Sequence, residues 1–223
     1  MLGLASCTPE DADAPLPEPT TSSPSTSAPT DQAWQRFTDA RIPQSFELPA
    51  TWSVRVEHEE AANEIFTFGV FDEKNAKQLE LRWPMMGIGG GCGDADPAKF
   101  PEFVVLDRSD LSLSGYAAPT DDSAPERFVQ PHVAFTAFQN GDRVETSLAV
   151  VNTEAGGSCR YYSLLYTAKG YLHLGDGYTI PRDAKTDGFK SKHSFATMAE
   201  AKAYIGTDEY KTLKRVLMSL RLG

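Results

Sequence analysis

Cysteine is scarce in this chain, with Cys7, Cys92 and Cys159 the full complement. No dense disulfide scaffold is therefore available, and the fold must rest on a buried core. Basic charge is also short. Lys and Arg number 21 against 31 Asp and Glu, and residues 1–33 contain neither Lys nor Arg. A nucleic-acid partner needs a clustered basic footprint, which this sequence lacks. Adsorption to anionic lipid by charge alone is excluded on the same ground. No run of about 20 apolar residues exists to cross a membrane as a helix. The signatures G-x-S-x-G, H-E-x-x-H and S-x-x-K are all missing, so no nucleophile or metal site is announced by a motif.

What is present divides at Trp34. The segment before it holds the five acids Glu10, Asp11, Asp13, Glu18 and Asp31, and between residues 8 and 33 the prolines 9, 15, 17, 19, 24 and 29. Ser and Thr dominate the rest, and no aromatic occurs. Such a stretch cannot bury enough apolar surface to offset its ordering entropy, and we expect a disordered tether over residues 8–33. Extended as polyproline II, it reaches on the order of 80 Å. Residues 34–223 have the composition of one globular domain.

Leu4-Ala5-Ser6-Cys7 resembles a bacterial lipobox, with an apolar residue, two small ones and a Cys. The resemblance implies that residues 1–7 are the end of a lipoprotein signal peptide and that Cys7 carries a lipid. Six residues upstream are too few for the charged and apolar regions of a signal peptide, so this reading requires a longer precursor. The expected location is extracytoplasmic, anchored in the cell membrane and facing outward. With Cys7 so used, Cys92 and Cys159 are left to pair. A bridge between them closes a loop of about 68 residues, for which chain entropy gives on the order of 4 kcal/mol.

Within the domain the hydrophobic pattern alternates between two periods. Trp34–Asp39 is expected as a short entry helix. Strands are expected over Ser45–Leu48, Trp52–Glu57, Glu64–Phe71, Gln78–Trp83 and Glu102–Asp107, with an irregular stretch Pro84–Pro101. Residues 132–174 read as a four-stranded antiparallel meander, with hairpin signals at Asn140-Gly141 and Lys169-Gly170. Thr197-x-x-Glu200 is a capping box, Gly206 a stop, and Thr207 or Asp208 the next cap. Tyr210, Leu213, Val216, Leu217 and Leu220 then share one helical face. The fold class is α+β, an antiparallel sheet with helices packed on it.

Phe46-Glu47-Leu48-Pro49-Ala50-Thr51-Trp52-Ser53-Val54 resembles the strand–Pro–x–x–Trp–strand opening of PsbP-like domains. The closing helix, ending Leu217-Met218-Ser219-Leu220-Arg221-Leu222, is similar to the end of that family. The resemblance implies an α/β/α sandwich that binds partners or small ligands without catalysis.

Candidate chemistry is thin. Gly87-Ile88-Gly89-Gly90-Gly91-Cys92-Gly93 lacks the Lys-Ser/Thr of a phosphate loop and is followed by Asp94 and Asp96, which repel phosphate. Those two acids fall short of a calcium loop and read as a solvated acidic loop, with no metal and no cofactor expected. His58, His132, His173 and His193 show no metal-ligand spacing, and His132 and His173 could meet across strands. Trp52, Trp83, Tyr161, Tyr162, Tyr166, Tyr171 and Tyr178 form a heavy aromatic load, of which some face outward. The candidate ligand-binding residues are Trp83, Asp94, Asp96 and Tyr162. The expected role is a non-catalytic module for a protein or small-molecule ligand, set against a secreted hydrolase of wall polymer or an extracellular ester.

Overall fold

In the computed structural model, the described residues are 33–85, 102–119, 128–154, 160–177, 179–181 and 192–223. Cys7, Cys92, Cys159, Asp94, Asp96 and the tether lie outside them.

The chain enters as a hairpin. β1 (Trp34–Asp39) pairs antiparallel with β2 (Ile42–Pro49), Phe37 opposite Phe46 and Trp34 opposite Pro49. This corrects the expected entry helix. Six residues of mixed polarity cannot support an isolated helix, and here pairing with β2 supplies the backbone partners. Trp34 is held from the far end of the sequence, with the Arg215 guanidinium 3.8 Å from its ring centre.

Seven strands then form the path of one antiparallel sheet, in the order β3 (Ser53–Glu60), β4 (Ile65–Phe71), β5 (Lys77–Met85), β11 (Gly170–Gly175), β8 (Arg143–Thr153), β7 (Phe128–Asn140) and β6 (Val104–Asp110). β10 (Leu165–Thr167) adds to β11, and β13 (Ser194–Phe195) adds to β8. β9 (Arg160–Tyr162) and β12 (Thr179–Pro181) pair separately.

The expected meander is therefore two hairpins, β7–β8 and β10–β11, with β11 placed between β5 and β8. Gly175 permits that junction, because a Cβ there would stand 2.5 Å from the Cβ of Ala149. β10 reaches β8 differently. The Asn152 side chain accepts from Tyr166 N at 2.8 Å and donates to Tyr166 O at 2.9 Å, imitating a strand. The β7–β8 turn is Gly141-Asp142, one residue beyond the expected pair, and Gly141 takes the positive φ of 60°.

One face of the sheet is the core. Phe68 lies opposite Leu81, Val70 opposite Leu79, Phe135 opposite Leu148 and Val133 opposite Val150, all buried. Helix α1 (Met198–Tyr204) and helix α2 (Asp208–Met218) cover part of that face. Thr197 and Thr207 cap them, accepting from Glu200 N and Tyr210 N. Gly206 donates to Ala203 O at 3.0 Å with no positive φ, so α1 ends without a left-handed cap. The α2 stripe is the expected one, with Tyr210, Leu213, Val216, Leu217 and then Leu220 in the core. Each such burial contributes about 1.5–3 kcal/mol. The architecture is α+β. The other face of the sheet is polar and small, carrying buried Thr67, Gln78, His132, Thr136, Ser147 and His173 beside Ala134, Ala149 and Val151.

Candidate functional site

Two of the hollows among the described residues bring together candidate site residues. The first is a charged cleft of about 260 Å³ on the polar face, lined by Lys77, Gln78, Glu80, His173, Asp176 and Lys192 among others. Its groups are bound to one another. Lys77 lies 2.6 Å from both Glu57 and Glu80. Burial disfavours its ammonium, but the two carboxylates outweigh that and raise its pKa. Lys192 donates to Gln78 O at 3.2 Å and to Gln78 Oε1. Burial lowers its pKa, against the pull of Asp176, Glu209 and Asp72. The His173 ring is fully buried and donates through Nδ1 to Ser163 O at 2.9 Å, the carbonyl fixing the tautomer. Burial pushes its pKa below the ordinary histidine value.

Asp176 and His193 join this cleft to the helices. Asp176 Oδ1 accepts from Leu148 N at 2.7 Å, and Oδ2 lies 3.5 Å from His193 Nδ1. The opposite ring nitrogen, Nε2, faces Tyr204 Oη at 3.0 Å and Glu209 Oε1 at 3.2 Å. Burial raises the Tyr204 pKa, with Glu209 and Asp176 adding to it. The next residue continues the clasp. Ser194 Oγ donates to Glu145 and accepts from Arg143 Nε at 2.6 Å. An Asp–His pair invites a catalytic reading, but both ring nitrogens are turned to groups of the chain itself. Ser147 and Ser163 share a hydrogen bond of 2.7 Å, and Ser147 also donates to Gly177 O. Geometry of this kind staples three strands and two helices.

The second hollow is smaller, about 80 Å³. Its lining comes from five separate segments. They are Pro43 and Gln44 of β2, Trp83 of β5, Gly115 and Ala117, the turn Thr167–Lys169, and Leu222–Gly223. Hydrogen bonds hold these walls in place. Ser45 and Arg221 exchange both backbone bonds, at 3.1 and 2.8 Å, and Ala168 N donates to Ala117 O at 3.0 Å. Among the described residues Lys169 is the one ionisable side chain in the lining, and it is exposed. Gln44 is 3% exposed, and its Oε1 is buried without a hydrogen-bond partner.

Of the expected ligand-binding residues, Trp83 lines this cavity, half-buried between it and the core. Tyr162 does not. It packs on Met85, Leu164 and Tyr166 in a separate cluster. Asp94 and Asp96 fall outside the described residues. His132 and His173 do not share a site. His132 on β7 donates to Gln130 O at 2.9 Å, with β8 between it and β11. Among the described residues no three His, Cys, Asp or Glu are placed to hold a metal ion.

Gln44 escaped the sequence reading, yet it left a signal. In Ile42-x-Gln44-x-Phe46-x-Leu48 the inward phase is apolar except at Gln44. No family model, no curated protein and no solved structure matches this chain.

Proposed function

We propose that this protein is a binding module, exported and held at the cell membrane by a lipid on Cys7, which works by capture rather than by turnover. Residues 8–33 are its spacer, and a Cys92–Cys159 disulfide restrains the chain between β5 and β9. The observation that carries the reading is the state of the polar groups in the two hollows. Lys77, Asp176, Lys192 and His173 of the charged cleft each hold a partner within the chain, whereas the second hollow, with Gln44 and Trp83 in its wall, has few polar side chains. A pre-built cavity with few polar groups suits recognition, because little ordering is lost on binding. The PsbP-like α/β/α reading belongs with this proposal. In its favour are the Pro49–Trp52 turn, closed by Trp52 N donating to Pro49 O at 2.9 Å, and the C-terminal helix packed on the sheet.

The competing reading is a hydrolase of an extracellular polymer or ester, and the Asp176–His193 contact is the observation in its favour. Two experiments decide. The gene expressed with its full upstream sequence should yield protein in the detergent phase, and Cys7→Ala should move it to the aqueous phase. Wild type found wholly in the aqueous phase ends the anchoring proposal. Turnover of a wall polymer, ester or peptide by the purified chain, abolished by His193→Gln, overturns capture as the function.

A further inference from the structure

The outer face of the β1–β2 hairpin indicates what chemical group the protein captures, an inference that rests on the binding reading above. A hollow of about 540 Å³ lies there, lined by Arg36, Glu47, Ser112, Ser114 and residues 218–222. Pairing across β2 assembles its charges. Arg36 of β1 stands opposite Glu47 of β2. On the other side of β2, Ser45 and Arg221 form an antiparallel bridge and exchange backbone bonds at 3.1 and 2.8 Å. Ser45 and Glu47 share the outward phase of β2, between the buried Gln44, Phe46 and Leu48. Residues paired across strands share a face, so Arg36 and Arg221 flank β2 on that outward face. Two strand spacings set their backbones about 10 Å apart, within the joint reach of two arginines.

The two guanidiniums differ in what they hold. Arg36 donates through Nη2 to Glu47 Oε1 at 2.5 Å and through Nη1 to Ser45 Oγ at 3.4 Å, which leaves it donors to spare. The Arg221 side chain is exposed and, among the described residues, holds no hydrogen-bond or ion-pair partner. The exposed Ser112 and Ser114 hydroxyls are likewise uncommitted among the described residues. We propose that this hollow is a subsite for a monoanionic oxygen group, a carboxylate or a phosphodiester, carried on a polar ligand of about sugar size.

Charge selects the class. Two guanidiniums against one carboxylate leave the hollow at +1, in a chain of net charge −10. At about 0.15 M salt, exposed charges beyond about 8 Å are largely screened, so the guanidiniums at hand govern a group bound between them. A guanidinium meets a carboxylate or phosphate through parallel N–H bonds, roughly twice as strong as bonds to a neutral oxygen. A neutral sugar forgoes that gain. A cation is repelled by Arg221 and finds Glu47 already paired. The end of α2 beside the hollow does not oppose an anion with bare carbonyls. Arg215 O and Val216 O accept from Ser219 N, and Leu217 O accepts from Leu220 N. The volume falls in the range of small-molecule sites, roughly 300–1,000 Å³.

Such a group belongs either to an acidic sugar or to a phosphodiester. The test uses the full chain, isotope-labelled, at about 0.15 M salt, with glucuronate and dimethyl phosphate as probes and glucose as the control. Either anion should shift the Arg221 side-chain Nε–H resonance saturably, and glucose should not. The anion that binds more tightly identifies the source. Arg221→Gln should weaken both anions by about tenfold or more, read at the Ser45 and Ser112 amides, while melting as wild type. Glu47→Gln keeps an acceptor for Arg36 but removes a repelling charge, and should tighten both anions by about twofold or more. Equal responses to glucose and glucuronate, or no saturable response to either anion, overturn the inference. So does a Glu47→Gln variant that binds the anions more weakly. An Arg221→Gln variant that melts well below wild type overturns it too, by giving that guanidinium a structural partner. If the tethered chain retains a partner while Arg221 stays silent to both anions, this inference fails and the capture reading stands.

Discussion

The charged cleft and the Trp83 cavity use buried polar residues in opposite ways. In the cleft, Asp176, His193, Lys192 and Ser194 each engage at least one strand or helix, so their polarity is structural. In the cavity, Gln44 occupies a core position and engages nothing with Oε1. A paired polar group rigidifies the fold it belongs to, and an uncommitted one is kept only at a loss of stability. Clustered titratable residues therefore serve architecture here, and the Gln44 oxygen adds nothing to it.

Breaking the cleft should have the largest effect. The Asp176 side chain is 1% exposed, and Asp176→Ala strips Leu148 N and His193 Nδ1 of their acceptor. We expect a loss of about 2–4 kcal/mol, read as a fall in Tm of roughly 6–12 °C. A loss under about 1 kcal/mol would remove the contrast between the two regions.

Acid should act on the polar face next. Burial lowers the pKa values of His132 and His173, so the unfolded chain takes up protons at a higher pH than the folded one. Stability is then full above about pH 6.5 and falls as pH drops from there toward the folded pKa values. The slope is up to about 1.4 kcal/mol per pH unit for each ring. Urea melts between pH 7.5 and pH 5 should show it, and His173→Gln should flatten it. A wild-type slope of zero would mean that both rings are as free to protonate as in the unfolded chain.

The cavity should respond with the reverse sign. Gln44→Leu is expected to raise stability by about 0.5–1.5 kcal/mol, since it removes an unsatisfied buried amide at nearly constant volume. Denaturant midpoints measure it, and a clear drop would place Gln44 with the structural residues. The smallest effect belongs to the cleft's exposed margin. A double-mutant cycle on Lys77 and Glu57, both about a third exposed, should give a coupling of about 0.5 kcal/mol. A coupling above about 2 kcal/mol would make that margin part of the structural network.

The elements legible in advance were those whose signal is local. Helix α2 could be read whole, because an apolar stripe at helical spacing, a Thr cap and an acidic first turn all lie within fourteen residues of one another. The β7–β8 hairpin was legible to within one residue, since both Asn140 and Gly141 tolerate a turn while only the register of the ladder decides between them. β1 was not legible. Nothing inside Trp34–Asp39 favours extension over helix until β2 offers backbone partners and Arg215 covers the Trp34 ring. The place of β11 was hidden for the same reason, as it depends on Gly175 meeting Ala149 closely enough to exclude a side chain.

The site divides likewise. Trp83 and Tyr162 were both candidates from a heavy aromatic load of which some members face outward. The register sends Tyr162 to the Met85 and Tyr166 cluster instead. Gln44 carried a readable violation of the strand alternation, though a single polar residue in a short strand resembles its solvent-facing neighbours. Composition and period by themselves determined an acidic α+β domain with a capped, amphipathic closing helix, because those properties are sums or spacings along the chain. Only the tertiary structure decided the strand order and the cavity. Residues 44, 83, 115, 168 and 222 become one wall through contacts between distant segments, and no local propensity encodes such contacts.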